Sequence, residues 1–228
     1  MQNTSNANSD LGWLDQQEAF ITSLQLQPLV VVLRPGVEDL NLPYSTKPLF
    51  NLIEQLAGEG VKHIEIAWSS DPSWLSLMQE LSSSFSDINL GAASITSHIA
   101  LESIAALRLD YAMTPTWDPA LQLHARSLKQ LLIPGVFSPT EIQQAQSFGC
   151  QIIKLFPAST LGIKYIHNLQ GPAESMPFII AAGGLTVKDL NPWLNAGYDA
   201  ITLGRELISE QTVDPELTKW LQVNPART

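Results

Sequence analysis

Short apolar runs alternate with longer amphipathic stretches along most of this chain. The runs are Leu29–Leu33, His63–Ala67, Ile88–Ala93, Tyr111–Thr114, Leu131–Ile133, Ile152–Phe156, Phe178–Ala182 and Ala200–Leu203. All are too short for buried helices and most are rich in β-branched residues, so they read as strands. Between them, Pro48–Glu59, Ser70–Ser84, Thr96–Leu107, Asp118–Ser127, Ser138–Phe148, Gly162–Leu169 and Val187–Asn195 have helical spacing, and Asp214–Val223 predicts a closing helix. The punctuation agrees. Pro48 and Pro139 fall in first turns, and Ser138 with Glu141 supplies a cap. Arg34-Pro35-Gly36 ends the first strand and Pro134-Gly135 the fifth.

Before the first strand, Trp13–Leu24 predicts a lid helix, and the Asn- and Ser-rich residues 1–10 predict a flexible tail. Eight strands alternating with helices over about 200 residues is the rhythm of a (β/α)8 barrel, here one domain over residues 11–228. A doubly wound open sheet is the alternative. It loses ground because no G-x-G-x-x-G follows the first strand.

Composition narrows the chemistry. The chain has 228 residues, is 45% hydrophobic and carries a formal charge of −10. This acidity argues against nucleic acid or an anionic membrane as partner, but not against a small anionic substrate held by a few donors. With Cys150 as the single cysteine there is no internal disulfide and no multi-cysteine zinc site, and the four histidines lack close ligand spacing. No metal and no cofactor is therefore expected. No signal peptide or membrane span is visible, which makes the cytoplasm the expected location.

The residue that stands out is Lys154, inside the apolar run Ile152–Phe156. Desolvation favours its neutral amine, a nucleophile that forms Schiff bases with ketones. The other reading is structural: an edge-strand lysine, or one paired with a carboxylate. In a barrel, the C-terminal ends of the strands build the site. Those ends hold Arg34, Glu65, Ser94, Thr114-Pro115, Lys154, Gly183-Gly184 and Gly204-Arg205. Glu65 then faces Lys154 across the barrel, as a proton carrier or as its counter-ion. Phe156 shares the face of Lys154. The glycines after strands seven and eight, with Arg205, are candidates for phosphate. Arg34 and Ser94 are candidates for a substrate carboxylate, with Thr114 and Pro115 beside them.

"IEIAWSS" at 64–70, "LGAASI" at 90–95, "MTPT" at 113–116, "IPGVFSPTE" at 133–141, "IIKLFPAS" at 152–159, "AAGGL" at 181–185 and "LGRELI" at 203–208 resemble, in this order, the class I 2-keto-3-deoxy-6-phosphogluconate (KDPG) / 4-hydroxy-2-oxoglutarate (KHG) aldolases. The related 2-keto-3-deoxy-6-phosphogalactonate (KDPGal) aldolases share the pattern. The resemblance implies a metal-free (β/α)8 barrel, a homotrimer, and a 2-oxo acid as substrate. It implies Lys154 as the Schiff-base lysine, Glu65 as the general acid/base and Arg34 as a carboxylate-binding arginine. The chain departs from the family pattern at Ser69, Ala93, Ala182 and Arg205, which touches substrate contacts rather than the reacting pair. Two other classes remain: a phosphate-binding barrel isomerase or epimerase without a Schiff base, and a barrel kept for binding alone.

Overall fold

In the computed structural model, residues 3–170, 176–209 and 212–224 are described, with side chains left aside at 3–11, 170, 206, 208 and 209. Nine parallel segments form one sheet: β1 (Leu29–Leu33), β2 (His63–Ala67), β3 (Asn89–Ala93), β4 (Tyr111–Met113), β5 (Leu132–Ile133), β6 (Gly135–Val136), β7 (Ile152–Leu155), β8 (Phe178–Ala182) and β9 (Ala200–Leu203). Their order is β5-β4-β3-β2-β1-β9-β8-β7-β6, so the two ends of the sheet are consecutive in the chain.

That adjacency corrects the expected end of the fifth strand at Pro134. The chain does not leave the sheet there. Leu132–Ile133 pairs with β4, and Gly135–Val136 pairs with β7. Proline lacks the N–H that a ladder needs, so the residue is a joint rather than a stop. Its carbonyl still accepts from the Lys154 N–H at 2.9 Å. The nine segments are thus eight strands, one of them bent, in a nearly closed barrel with helices between them. An open doubly wound sheet does not fit this order.

Side-chain alternation divides the core in two. Val31, Ile64, Ile66, Ala92, Leu132, Ile153, Ile179 and Ile201 point outward and pack under the helices. Val30, Tyr111, Met113, Leu131, Ile133, Ile152, Ile180 and Ala200 point inward and fill the lower barrel. Helix placement follows the caps. Ser138 and Glu141 form a reciprocal capping box over Pro139–Phe148, and Asp118 caps Pro119–Ser127.

The N-terminal helix runs Asn3–Leu26, beginning well before the expected Trp13 and including most of residues 1–10. It covers the bottom of the barrel, away from the C-terminal strand ends. Phe20 and Leu24 enter the inner core, with the Phe20 ring 4.1 Å from that of Tyr111. Ser23 completes a polar floor: its hydroxyl donates to His63 Nε2 (2.8 Å) and accepts from Asn89 Nδ2 (3.0 Å), while His63 Nδ1 donates to the Leu29 carbonyl (3.1 Å). Burial pushes His63 down to about 4, so it is neutral here. Among the described residues, no helix is long and apolar enough to cross a membrane.

Candidate active site

The inward rows above this floor carry the candidate chemistry. One row reads Val32, Glu65, Gly91 and Tyr111 across β1 to β4, and another reads Gly135, Lys154, Ile180 and Ala200 across β6 to β9. Lys154 and Glu65 are therefore opposed across the barrel because both are inward residues of β-strands on opposite walls. Lys154 is 7% exposed and Glu65 is 1% exposed.

Each is pushed toward its uncharged form. Burial lowers the Lys154 amine, the Glu65 carboxylate partly restores it, and the Arg34 guanidinium lowers it further. Burial raises Glu65 to about 7, against the opposing pull of Lys154. Among the described residues, no hydrogen bond or ion pair within 4.0 Å joins them. Glu65 Oε1 is buried with no partner. A structural counter-ion would close on its lysine, because a buried pair repays its desolvation only in direct contact. This pair stays apart: each senses the other's charge, and neither is neutralised by contact.

Glycines allow close packing around the amine. Gly135 is the register partner of Lys154, and a Cβ there would collide with the Pro115 backbone. Pro115 thus passes directly over this neighbour of the lysine. Phe156 is half-buried, with its ring centroid 5.4 Å from Lys154 Nζ. Behind it lies the Gly183-Gly184 turn. Both glycines have positive φ, 97° and 73°. A Cβ on Gly183 would come within 2.9 Å of the Phe156 ring, and one on Gly184 would strike the Ser159 hydroxyl. This turn demands glycine both for its backbone and for its packing.

The remaining expected residues are distributed around the same mouth. Arg34 is exposed at the end of β1, close enough for its charge to act on Lys154. Ser94 is half-buried after β3 with a positive φ of 65°, uncommon for a non-glycine residue. Thr114, expected at a carboxylate, is fully buried, and its hydroxyl is engaged by the backbone of Thr116. Gly204 follows β9, and Arg205 is exposed at the start of the turn Arg205–Leu207. Ser69 is occupied locally, accepting from the Asp71 N–H at 3.2 Å. Ala93 and Ala182 are buried at the tops of their strands.

Two inward hydroxyls were not anticipated. Tyr111 and Thr202 are buried, and neither hydroxyl has a partner. Their strands were legible in the sequence, but which neighbours face them depends on register between strands, which no local pattern reports.

A parallel barrel with titratable side chains gathered at its C-terminal mouth is the architecture of an enzyme. The family model described as KDPG and KHG aldolase matches residues 42–223. The chain belongs to this family of aldolases, which are lyases. It is 26% identical over 181 residues to the 2-dehydro-3-deoxy-6-phosphogalactonate aldolase of Escherichia coli K12, covering 79% of this chain and 84% of that one. It is 29% identical over 105 residues to the 2-dehydro-3-deoxy-phosphogluconate aldolase of Treponema pallidum, covering 46% and 50%. In fold it is similar to the KDPG aldolase of Legionella pneumophila, solved with pyruvate captured at low pH as a covalent carbinolamine intermediate (TM-score 0.72, 17% identity, covering 90% and 95%).

Proposed function

We propose that this chain is a class I aldolase in which Lys154 forms a Schiff base with a 2-oxo acid and Glu65 carries the protons. The observation that carries the reading is the buried Lys154 amine facing Glu65 across the barrel without contact. The amine attacks the C2 ketone, giving a carbinolamine, and loss of water gives an iminium. Glu65, directly or through water, takes the proton of the C4 hydroxyl. The C3–C4 bond breaks, its electron pair flows into the iminium, and the aldehyde leaves. The enamine of pyruvate takes a proton back at C3, and hydrolysis frees the lysine. A carboxyl raised to about 7 suits both halves of this shuttle near neutral pH. The carbinolamine captured in the Legionella aldolase supports the lysine chemistry.

The substrates we assign are 2-keto-3-deoxy-6-phosphogluconate or its galactonate counterpart, each giving pyruvate and glyceraldehyde 3-phosphate, and 4-hydroxy-2-oxoglutarate, giving pyruvate and glyoxylate. Family membership supports the group, and the relatives support the gluconate and galactonate forms equally. Arg34 and Ser94 hold the carboxylate in this reading, since a guanidinium fork matches it. Gly183, Gly184, Gly204 and Arg205 hold the phosphate. We also assign a cytoplasmic homotrimer, for which light scattering on the purified chain is the check of assembly.

Borohydride reduction in the presence of pyruvate tests the function. Covalent trapping at Lys154, located by peptide mass, is the expected result. No adduct on a folded protein would favour a barrel isomerase or a barrel kept for binding.

A further inference from the structure

Tyr111 is the inward residue of β4 nearest to Glu65 along one register row, with only Gly91 between them. Gly91 has no side chain, and the Tyr111 ring occupies the space one would fill. A Cβ on Gly91 would lie 2.6 Å from Tyr111 Cζ and 2.8 Å from both Cε atoms. Cζ is the atom that bears the hydroxyl. The ring therefore lies across β3, with its hydroxyl end carried toward β2, the strand of Glu65. Phe20, stacked at 4.1 Å from below, holds it in this pose.

Two buried, unpartnered polar atoms belong to Tyr111 and Glu65. The Tyr111 hydroxyl and Glu65 Oε1 are both buried, and neither has a hydrogen-bond partner. Leaving either alone costs free energy, and together they are complementary: a phenol donates and a carboxylate accepts. We propose that the Tyr111 hydroxyl donates a hydrogen bond to the Glu65 carboxylate, through a bridging water or a small side-chain rotation, and so positions it in its proton-accepting form. Tyr111 acts through Glu65 and is a positioning residue.

The surrounding groups leave Tyr111 this role. Burial, reinforced by the Glu65 charge and then by Asp110, raises the phenol well above its usual range, so it stays a donor at working pH. The Asp110 carboxylate accepts from the Leu90 N–H at 2.8 Å. His63, one inward position below Glu65, is neutral and committed to Ser23 and to the Leu29 carbonyl. The N-terminal helix contributes the apolar Phe20 to this corner. The Lys154 amine faces from the opposite wall, and Arg34 supplies positive charge at the mouth. Among these groups Tyr111 offers a buried hydroxyl donor that is not committed elsewhere.

This inference rests on Glu65 as the proton carrier, and its test is made separable from that reading. Glu65 would be followed by carboxyl 13C NMR in the full chain, with Glu65→Gln identifying the resonance, before and after Tyr111→Phe. Loss of a donor to the charged form raises the titration by about one unit, tenfold in the protonation equilibrium. The acid limb of kcat for aldol cleavage then moves to higher pH by the same amount, with KM little changed. An unmoved Glu65 titration, with or without a lower melting temperature, would overturn the proposal and leave Tyr111 as packing. Failure of pyruvate trapping in the parent protein would sink the aldolase reading instead, while the NMR titration would still decide whether Tyr111 and Glu65 are coupled.

Discussion

Glu65→Gln should make the protein more stable at pH 8 while removing most of its activity. The folded state raises Glu65 from an ordinary 4.5 to about 7. Between those values the unfolded chain has released a proton that the folded chain retains. Stability contributed by this group is therefore fully present below 4.5, declines as pH rises, and is lost above about 7. The separation is about 2.5 units at about 1.4 kcal/mol each, or about 3 kcal/mol. Part of this returns in the variant, because Lys154 loses the charge that supports its own protonated form. A net gain of about 1–2 kcal/mol at pH 8 remains, or about 2–8 °C for a domain of this size. Differential scanning calorimetry from pH 4.5 to 8 would show the gain growing with pH. Cleavage assays should show kcat falling about 10²–10⁴-fold, the usual range for a lost acid–base group. A variant that melts lower than the parent at pH 8 and keeps its turnover would refute the reasoning, and would mark Glu65 as the structural counter-ion of Lys154.

Lys154→Met should abolish cleavage and borohydride trapping and leave the melting temperature unchanged or higher, since a thioether needs no solvation. Lys154→Arg should fail equally, because a guanidinium stays protonated. Arg205→Ser should reduce kcat/KM for KDPG by about 10–100-fold, the worth of a charge-assisted bond, and spare the unphosphorylated KHG; an equal loss on both would remove Arg205 from phosphate binding. Gly183→Ala should destabilise the chain by about 1–3 kcal/mol in denaturant titration, because it strains a φ of 97° and drives a methyl against Phe156.

Much of the barrel is legible along the chain because parallel strands covered by helices must be short and apolar. His63–Ala67, Phe178–Ala182 and Ala200–Leu203 begin and end where the pattern places them. The misreading at Pro134 has a specific cause. Proline signals that one ladder hydrogen bond is missing, and sequence does not say whether the chain turns away or changes partner. Asn3–Asp10 lacks an apolar stripe, so its helical continuation was hidden for a different reason: nothing in that segment selects a face. Lys154 and Glu65 stand out because charged residues in apolar runs are rare. Tyr111 does not, since a tyrosine opening a strand is ordinary. Its interest comes from the glycine beside it on another strand. Thr114 shows the reverse case, where a hydroxyl at a promising position is consumed by its own turn.

The helix beneath the barrel supports the inner layer from its far end. Its Phe20 supports the Tyr111 ring, and its Ser23 locks His63 and Asn89. The inner layer beside Glu65 thus rests partly on a segment that precedes the first strand. For an engineer, this separates two controls that are fused in most enzymes. Loops at the mouth carry the proposed substrate contacts, while the floor helix supports the layer that holds Glu65 and Tyr111. Libraries built on residues 20–24 would vary that layer and leave the proposed phosphate residues Gly183, Gly184, Gly204 and Arg205 unchanged.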